Sequence, residues 1–257
     1  MNPIEIKNAF AREYSGLPFN VLYASAILAA DDRRFDKGRQ LGNTAEISFN
    51  IAMHPNASHK IMHLLPGMDG DINGFNDKYL KIACLVQNSK IAAVVRSRNT
   101  WHPGFSFEHD FRFAIEHASS NSYAICGEVN PDMYLMGYAA GAGIMGALAH
   151  EYPNVKKILL INPTGEMGER IIETGLSKFS GEIMLAIGEN DLDSLKFGRN
   201  LFENHTNEAK TRKLLIIPKG DHQLRGRDTG IFLSKLPFIA FDNNSEYTKK
   251  FKGIELY

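Results

Sequence analysis

The stretch Met133-Tyr134-Leu135-Met136-Gly137-Tyr138-Ala139-Ala140-Gly141 decides how this chain is read. Its apolar start reads as a short strand, and the small residues from Ala142 to Glu151 read as a helix. Between them, glycines stand two before and two after Ala139. A sharp strand-to-helix turn needs that spacing, because its apex is strained and larger flanking side chains would strike the neighbouring strand and helix. The pattern is Gly-x-Ser-x-Gly with alanine in the serine's place. A glycine-rich packing turn would share the spacing, so partners elsewhere in the chain must decide between them.

A rival pattern overlaps the turn. Gly141-Ala142-Gly143-Ile144-Met145-Gly146 fits the G-x-G-x-x-G of a dinucleotide site, which places its first glycine at the strand end and an acid near the end of the next strand. Here Gly137 already ends the strand, and the next one closes on Asn162-Pro163. No nicotinamide, flavin or other cofactor is expected.

Working outward, short apolar runs alternate with helix-like stretches from residue 45 onward, which predicts an α/β fold with a mostly parallel central sheet flanked by helices. Strands are expected over Glu46–His54, Lys60–Leu65, Ile91–Arg96, Met133–Gly137, Lys156–Ile161, Ile183–Ile187 and Lys213–Ile217. Runs such as Ile158-Leu159-Leu160-Ile161 suit strands buried on both faces. Helices are expected over Phe107–Ala118, Ala142–Glu151, Glu169–Thr174, Leu195–Asn207 and Gly230–Leu236. Near the N-terminus a helix is expected around Ile6–Tyr14 and an edge strand or second helix near Val21–Ala30, with Asp31–Gly38 an exposed connection. Residues 1–257 read as one domain, in which 162–182 forms a short lid.

Ligands of such sheets bind beyond the carboxyl ends of the strands. Downstream of the turn, two strands end in Gly188-Glu189-Asn190-Asp191 and Pro218-Lys219-Gly220-Asp221-His222. The order nucleophile, acid, histidine is therefore available, with Ala139 at the nucleophile position, Asp191 as the acid and His222 as the base. Glu189 and Asp193 are fallback acids. Upstream, His63-Leu64-Leu65-Pro66-Gly67-Met68-Asp69-Gly70 offers a tight turn after a strand. The backbone N–H groups of Met68 and Ala140 are the candidate oxyanion donors. Gly67, Asp69, Tyr138 and Trp101 are candidate substrate contacts.

From about Glu46 to His222 the chain resembles the α/β-hydrolase superfamily, especially its esterase and thioesterase-like members. The resemblance is carried by Pro66-Gly67-Met68-Asp69-Gly70, the Gly137-to-Gly141 turn, Gly188-Glu189-Asn190-Asp191 and Gly220-Asp221-His222. It implies the hydrolase fold and a serine at position 139, where this sequence departs from the family. Two explanations of the alanine follow. The chain is an inactive variant of a serine parent, which the intact acid, histidine and oxyanion loop favour, or it is a natural non-catalytic binder of a ligand or partner. An acyltransferase or cyclase would use the same residues. Ser106 and Ser194 are not expected to substitute, since only the turn sets a hydroxyl beside histidine and oxyanion donors.

Other signals carry less. Asp69-Gly70-Asp71-Ile72-Asn73-Gly74 imitates half a calcium loop, but the twelfth position is Leu80. His59 and His63 lack a third zinc ligand, so no metal is expected. Arg96, Arg98, Trp101 and His102 could meet an anionic or aromatic substrate group, although ordinary loop contacts account for them as well. Phe105 and Phe107 could line a pocket or pack in the core.

Lys+Arg and Asp+Glu balance at 29 each in 257 residues, which disfavours nucleic acid or an anionic membrane as partner. Apolar residues at 44% and charged ones at 23% suit a soluble domain. No apolar run reaches the roughly 20 residues that span a bilayer, and no secretory leader is visible. Cys84 and Cys126, in apolar contexts, are expected as buried free thiols, consistent with a cytoplasmic protein. The expected partner is a small-molecule or carrier-bound acyl substrate, with the oligomeric state left open.

Overall fold

The computed structural model describes residues 51–100 and 107–242, and the backbone of strand residues 5–8, 12–14, 17–19, 22–28 and 47–50. Its apolar runs have no polar face to offer water, and each becomes a strand covered on both sides. In Val155–Ile161, Ile158 and Leu160 join the core on one face of the sheet, while Leu159 and Ile161 join the core on the other. Each such side chain, fully buried, contributes about 1.5–3 kcal/mol.

The strands are β1 (Glu5–Asn8), β2 (Arg12–Tyr14), β3 (Leu17–Phe19), β4 (Leu22–Leu28), β5 (Ile47–His54), β6 (Lys60–Leu65), β7 (Ala93–Ser97), β8 (Asp132–Tyr138), β9 (Val155–Ile161), β10 (Glu182–Gly188) and β11 (Thr211–Ile217). Among the described residues, nine of them form one sheet in the order β1-β4-β5-β7-β6-β8-β9-β10-β11, and β2 pairs with β3 separately. Pairing is antiparallel from β1 through β4 and β5 to β7, and parallel from β7 to β11.

The helices are α1 (Lys78–Asn88), α2 (His109–Ser120), α3 (Ser122–Cys126), α4 (Ala140–Leu148), α5 (Glu169–Leu176), α6 (Leu192–Asn204) and α7 (Arg227–Phe241). On one face, α1 and α7 bury Tyr79, Ile82, Leu233 and Leu236. On the other, α2, α4, α5 and α6 bury Phe111, Ile144, Ile172 and Leu201. From β6 the chain steps outward to β7, then returns past β6 to β8 and continues the opposite way. The strand order therefore reverses between β6 and β8, the kind of switch point at whose carboxyl ends ligands bind in such sheets.

The expected strands from β5 onward are present. Two helices, α1 and α3, were not expected. Seven residues of α1 are buried, Gln87 among them, so its exposed face is a narrow stripe of Lys81, Leu85 and Asn88 with an apolar residue in the middle. Helix α7 runs past Leu236 through Pro237 to Phe241, whose ring stacks on Tyr134 at 5.1 Å. The helix expected around Ile6–Tyr14 is replaced by β1 and β2. β1 takes its partner from β4, with Glu5 opposite Ser25, and that long-range pairing has no local periodicity to announce it. Val21–Ala30 holds a strand, β4, though between β1 and β5 rather than at the edge. Asp31–Gly38 lies outside the described residues.

Cys84 and Cys126 are buried and free. No described helix is long and apolar enough to cross a membrane. His63 is sealed in β6, its ring stacked on Phe111 at 5.6 Å and its Nε2 hydrogen-bonded with Ser97 Oγ at 3.0 Å. Burial pushes its pKa from 6.5 down to about 3. The unfolded chain thus binds this proton first, and stability falls as pH drops below 6.5 toward 3. Urea denaturation of His63→Gln between pH 7 and pH 4 should show a shallower loss of stability than the parent protein. An equal slope would remove His63 as a source of acid sensitivity.

Candidate active site

Ala139 is held at φ 46°, ψ −118°, a conformation that a side chain makes costly by about 1–3 kcal/mol. It sits between the end of β8 and the first turn of α4. Its N–H donates to the Ile161 carbonyl at 2.9 Å, and its carbonyl accepts from Gly143 N–H at 3.0 Å. Tyr138 and Ala140 are buried, whereas Ala139 is partly open. Only the apex of the turn is reachable.

The flanking glycines are required by backbone contact. A Cβ on Gly137 would lie 2.7 Å from the Ala142 backbone, and one on Gly141 would lie 2.3 Å from the Pro66 carbonyl oxygen. The later glycines of the rival pattern also serve packing. A Cβ on Gly143 would fall 2.6 Å from Thr164 O, and Gly146 faces Ile172. The G-x-G-x-x-G spacing thus belongs to a helix pressed against its neighbours.

The loop after β6 meets this turn. Gly70 N–H donates to Gly67 O at 2.9 Å, closing a tight turn with Met68 and Asp69 at its centre. Asp69 adopts φ 55° there. A Cβ on Gly67 would stand 3.3 Å from the Ala139 methyl carbon. Met68 is 39% exposed, and Ala140 opens α4, where first-turn N–H groups have no partner inside the helix. Buried Asn99 braces the loop by donating from Nδ2 to Pro66 O at 3.0 Å. Nothing in the local sequence singled out Asn99.

Asp191 caps α6, its Oδ1 accepting from Ser194 N–H at 3.3 Å. The other carboxylate oxygen, Oδ2, accepts from His222 Nδ1 at 2.6 Å. The Asp191 side chain is 9% exposed and the His222 side chain 47%. A shielded acid therefore holds an accessible imidazole. Glu189 is occupied elsewhere, accepting from Lys219 N–H at 2.8 Å, and Asp193 is exposed in the first turn of α6.

Buried Asn162, which the sequence reading passed over as a strand end, ties these loops together. Its Oδ1 accepts from Gly188 N–H at 2.7 Å, and its Nδ2 donates to Asp221 O at 3.2 Å and His222 O at 2.8 Å. The available signal was its position directly after a predicted central strand, at the edge where ligand-binding loops collect.

Other candidates lie elsewhere. Tyr138, expected to touch substrate, follows the alternation of β8 into the core beneath α1 and packs on Tyr79 at 5.0 Å between ring centres. Burial raises its pKa well above the usual tyrosine range. Lys78 lies over both rings, its pKa lowered by burial and raised in part by Asp221. Arg96 is fully buried and braces the 72–73 loop through Ile72 O at 2.6 Å and Asn73 Oδ1 at 2.8 Å, so it is not a substrate contact. His59 faces Glu128 near the surface, and no cluster of metal ligands occurs among the described residues. Ser194 is buried. Trp101, His102, Phe105 and Ser106 lie outside the described residues.

The segment expected as a lid, 162–182, begins at the carboxyl edge with Asn162 and Thr164 and carries α5, which packs on α4. Gly175 abuts the Ala147 backbone, and Ile172 and Leu176 enter the core.

No protein-family model and no curated protein matches the sequence. Solved structures do match. An esterase from Pyrococcus furiosus aligns with TM-score 0.61 and 10% identity over 87% of this chain and 94% of its own. The esterase domain of a Rhodothermus marinus protein aligns with TM-score 0.57 and 15% identity, covering 83% and 95%. A dienelactone hydrolase from Anabaena variabilis aligns with TM-score 0.55 and 15% identity, covering 84% and 96%. The chain has the α/β-hydrolase fold.

The glycine contacts can be tested directly. Gly141→Ala should destabilise the protein by about 3 kcal/mol or more, because its methyl group would meet fixed backbone. Gly230→Ala, in α7 with nothing within 4 Å of the new carbon, should stabilise by about 0.5–1 kcal/mol. Urea unfolding of both variants checks the pair.

Proposed function

We propose that this chain is built on the acyl-transfer site of a serine-type hydrolase acting on an ester, thioester or amide. Alanine at position 139 leaves the chain as written without a nucleophile. The observation that carries this reading is the hydrogen bond between His222 Nδ1 and Asp191 Oδ2 at 2.6 Å. A shielded carboxylate fixes the tautomer of an open imidazole, and Nε2 is left to handle the reacting proton. The likeness to esterase and hydrolase structures supports the same class.

With a serine hydroxyl at position 139, His222 takes its proton while the oxygen adds to the acyl carbonyl. The N–H groups of Met68 and Ala140 donate hydrogen bonds to the oxyanion of the tetrahedral intermediate. The leaving group departs with the proton from His222, and water repeats the sequence to release the acid. No cofactor enters. A methyl group has no lone pair, so none of this chemistry starts on Ala139. Exposed Met68 and Leu192, the latter 73% exposed beside Asp191, favour an apolar acyl portion, small or carrier-bound.

A second reading draws on the same backbone. Oxyanion donors survive a change to alanine, so a carbonyl compound could be bound and polarised without attack, as in a non-catalytic binding protein. In a third, an amine or alcohol replaces water and the enzyme is an acyltransferase or cyclase.

Ala139→Ser should restore covalent labelling by a fluorophosphonate probe, and adding His222→Ala should abolish it. A serine variant that folds but does not label would rule out the first reading. In the labelling-competent background, Asp191→Asn should lower kcat by about 10⁴-fold. Partitioning of the acyl-enzyme between water and an added amine separates hydrolase from transferase.

A further inference from the structure

We infer that Asn162 is the positioning residue that sets His222 against Asp191 and holds both in register with position 139. The inference rests on the acyl-transfer reading for its catalytic meaning, but its geometric content stands on the hydrogen bonds alone.

Asn162 follows β9, whose neighbours β8 and β10 end in the apex turn and the acid loop. It adopts φ 44°, a left-handed conformation in which asparagine is several-fold enriched over other non-glycine residues. Its main chain is pinned by its own N–H to Ala186 O at 3.0 Å. The side chain is 1% exposed and uses an amide's whole repertoire. The acceptor takes the N–H of Gly188, which begins the acid loop, at 2.7 Å. The donors reach the carbonyls of Asp221 and His222 at 3.2 and 2.8 Å. The orientation of the amide is fixed, because an N–H can only donate and two carbonyls can only accept.

The residues on either side of Asn162 clasp position 139. Ile161 O accepts from Ala139 N–H at 2.9 Å, and Thr164 N–H donates to Ala139 O at 3.4 Å. One short segment is therefore bonded to the nucleophile position by its backbone and to the acid and histidine loops by a single side chain. Other links, Asn190 N–H to Gly220 O at 2.8 Å and Lys219 N–H to Glu189 Oε2 at 2.8 Å, join the two loops but not the apex. No other residue type supplies this set of bonds. Aspartate accepts but cannot donate when ionised, glycine tolerates the backbone but offers nothing, and glutamine would place the amide one methylene too far.

The test uses Asn162→Gly and Asn162→Asp, both tolerant of the left-handed backbone. In the protein as it stands, the Nδ1 proton of His222 is followed by NMR. Both variants should shift or broaden it while amide signals distant from the site stay in place. In the Ala139→Ser background, kcat should fall about 10- to 100-fold with KM within about twofold, as expected for misplacement of a catalytic group by about 1 Å. A lower unfolding midpoint with an unmoved His222 signal and unchanged kcat would reduce Asn162 to a structural bond and overturn the proposal. Should both variants fail to fold, the unsubstituted protein decides: the Asn162 Nδ2 signals should move with the same midpoint as the His222 ring on titration, and their failure to do so also overturns it. Absence of labelling in Ala139→Ser would count against the acyl-transfer reading alone, since the NMR measurements need no turnover.

Discussion

The approach of one backbone to another at Gly141 governs this structure. The first turn of α4 comes so near the carbonyls of Leu65 and Pro66 that no side chain fits between them. That contact brings the end of β8 and the loop after β6 together at the point where the sheet reverses direction. It also forces the strain at Ala139, because a chain that must turn from strand to helix within one residue has only a narrow choice of dihedral angles. The strain at a non-glycine residue is borne by hydrogen bonds on both sides of the peptide and by the buried, close-packed α4 behind it.

Around that point, polar side chains act mainly as braces. Asn99 and Arg96 hold the loop after β6 by its carbonyls, Asn162 holds the loops after β10 and β11, and Glu189 holds the amide of Lys219. Each satisfies backbone groups that a convergence of strand ends would leave without partners, and an unmade bond of that kind costs about 1–3 kcal/mol. The same bonds limit how far Asp191 and His222 can drift. Stability and site geometry are thus served by one set of contacts, with His222 the residue left open to the outside.

Local sequence was a good guide wherever the chemistry is local. Continuous apolar runs located β6 through β11 because strands buried on both faces need such runs. The spacing of Gly137 and Gly141 located the apex because their neighbours exclude a Cβ, and Asp191 and His222 were found by standing just past strand ends. The failures have a common cause. Helix α1 keeps only a narrow exposed stripe of Lys81, Leu85 and Asn88, and the apolar Leu85 on it blurs the polar face that a helical period would show. The strand β1 depends on β4, and Tyr138 was assigned to the substrate although the two-residue alternation of β8 sends its ring under α1. Arg96 was read as a loop contact or a substrate contact, and the structure gives it the first role, because a sequence gives a residue's position along a strand but not what its side chain touches.

The amino-acid sequence by itself determined the succession of strands and helices, the alanine at the apex, and the order of acid and histidine after it. These follow from side-chain volume, period and turn chemistry, which act over a few residues. Only the tertiary structure decided that Asp191 rather than Glu189 receives the imidazole, and that Asn162 binds the acid and histidine loops together. Those outcomes depend on hydrogen bonds between segments up to 60 residues apart, whose partners exist only once the sheet has brought its strand ends to one edge.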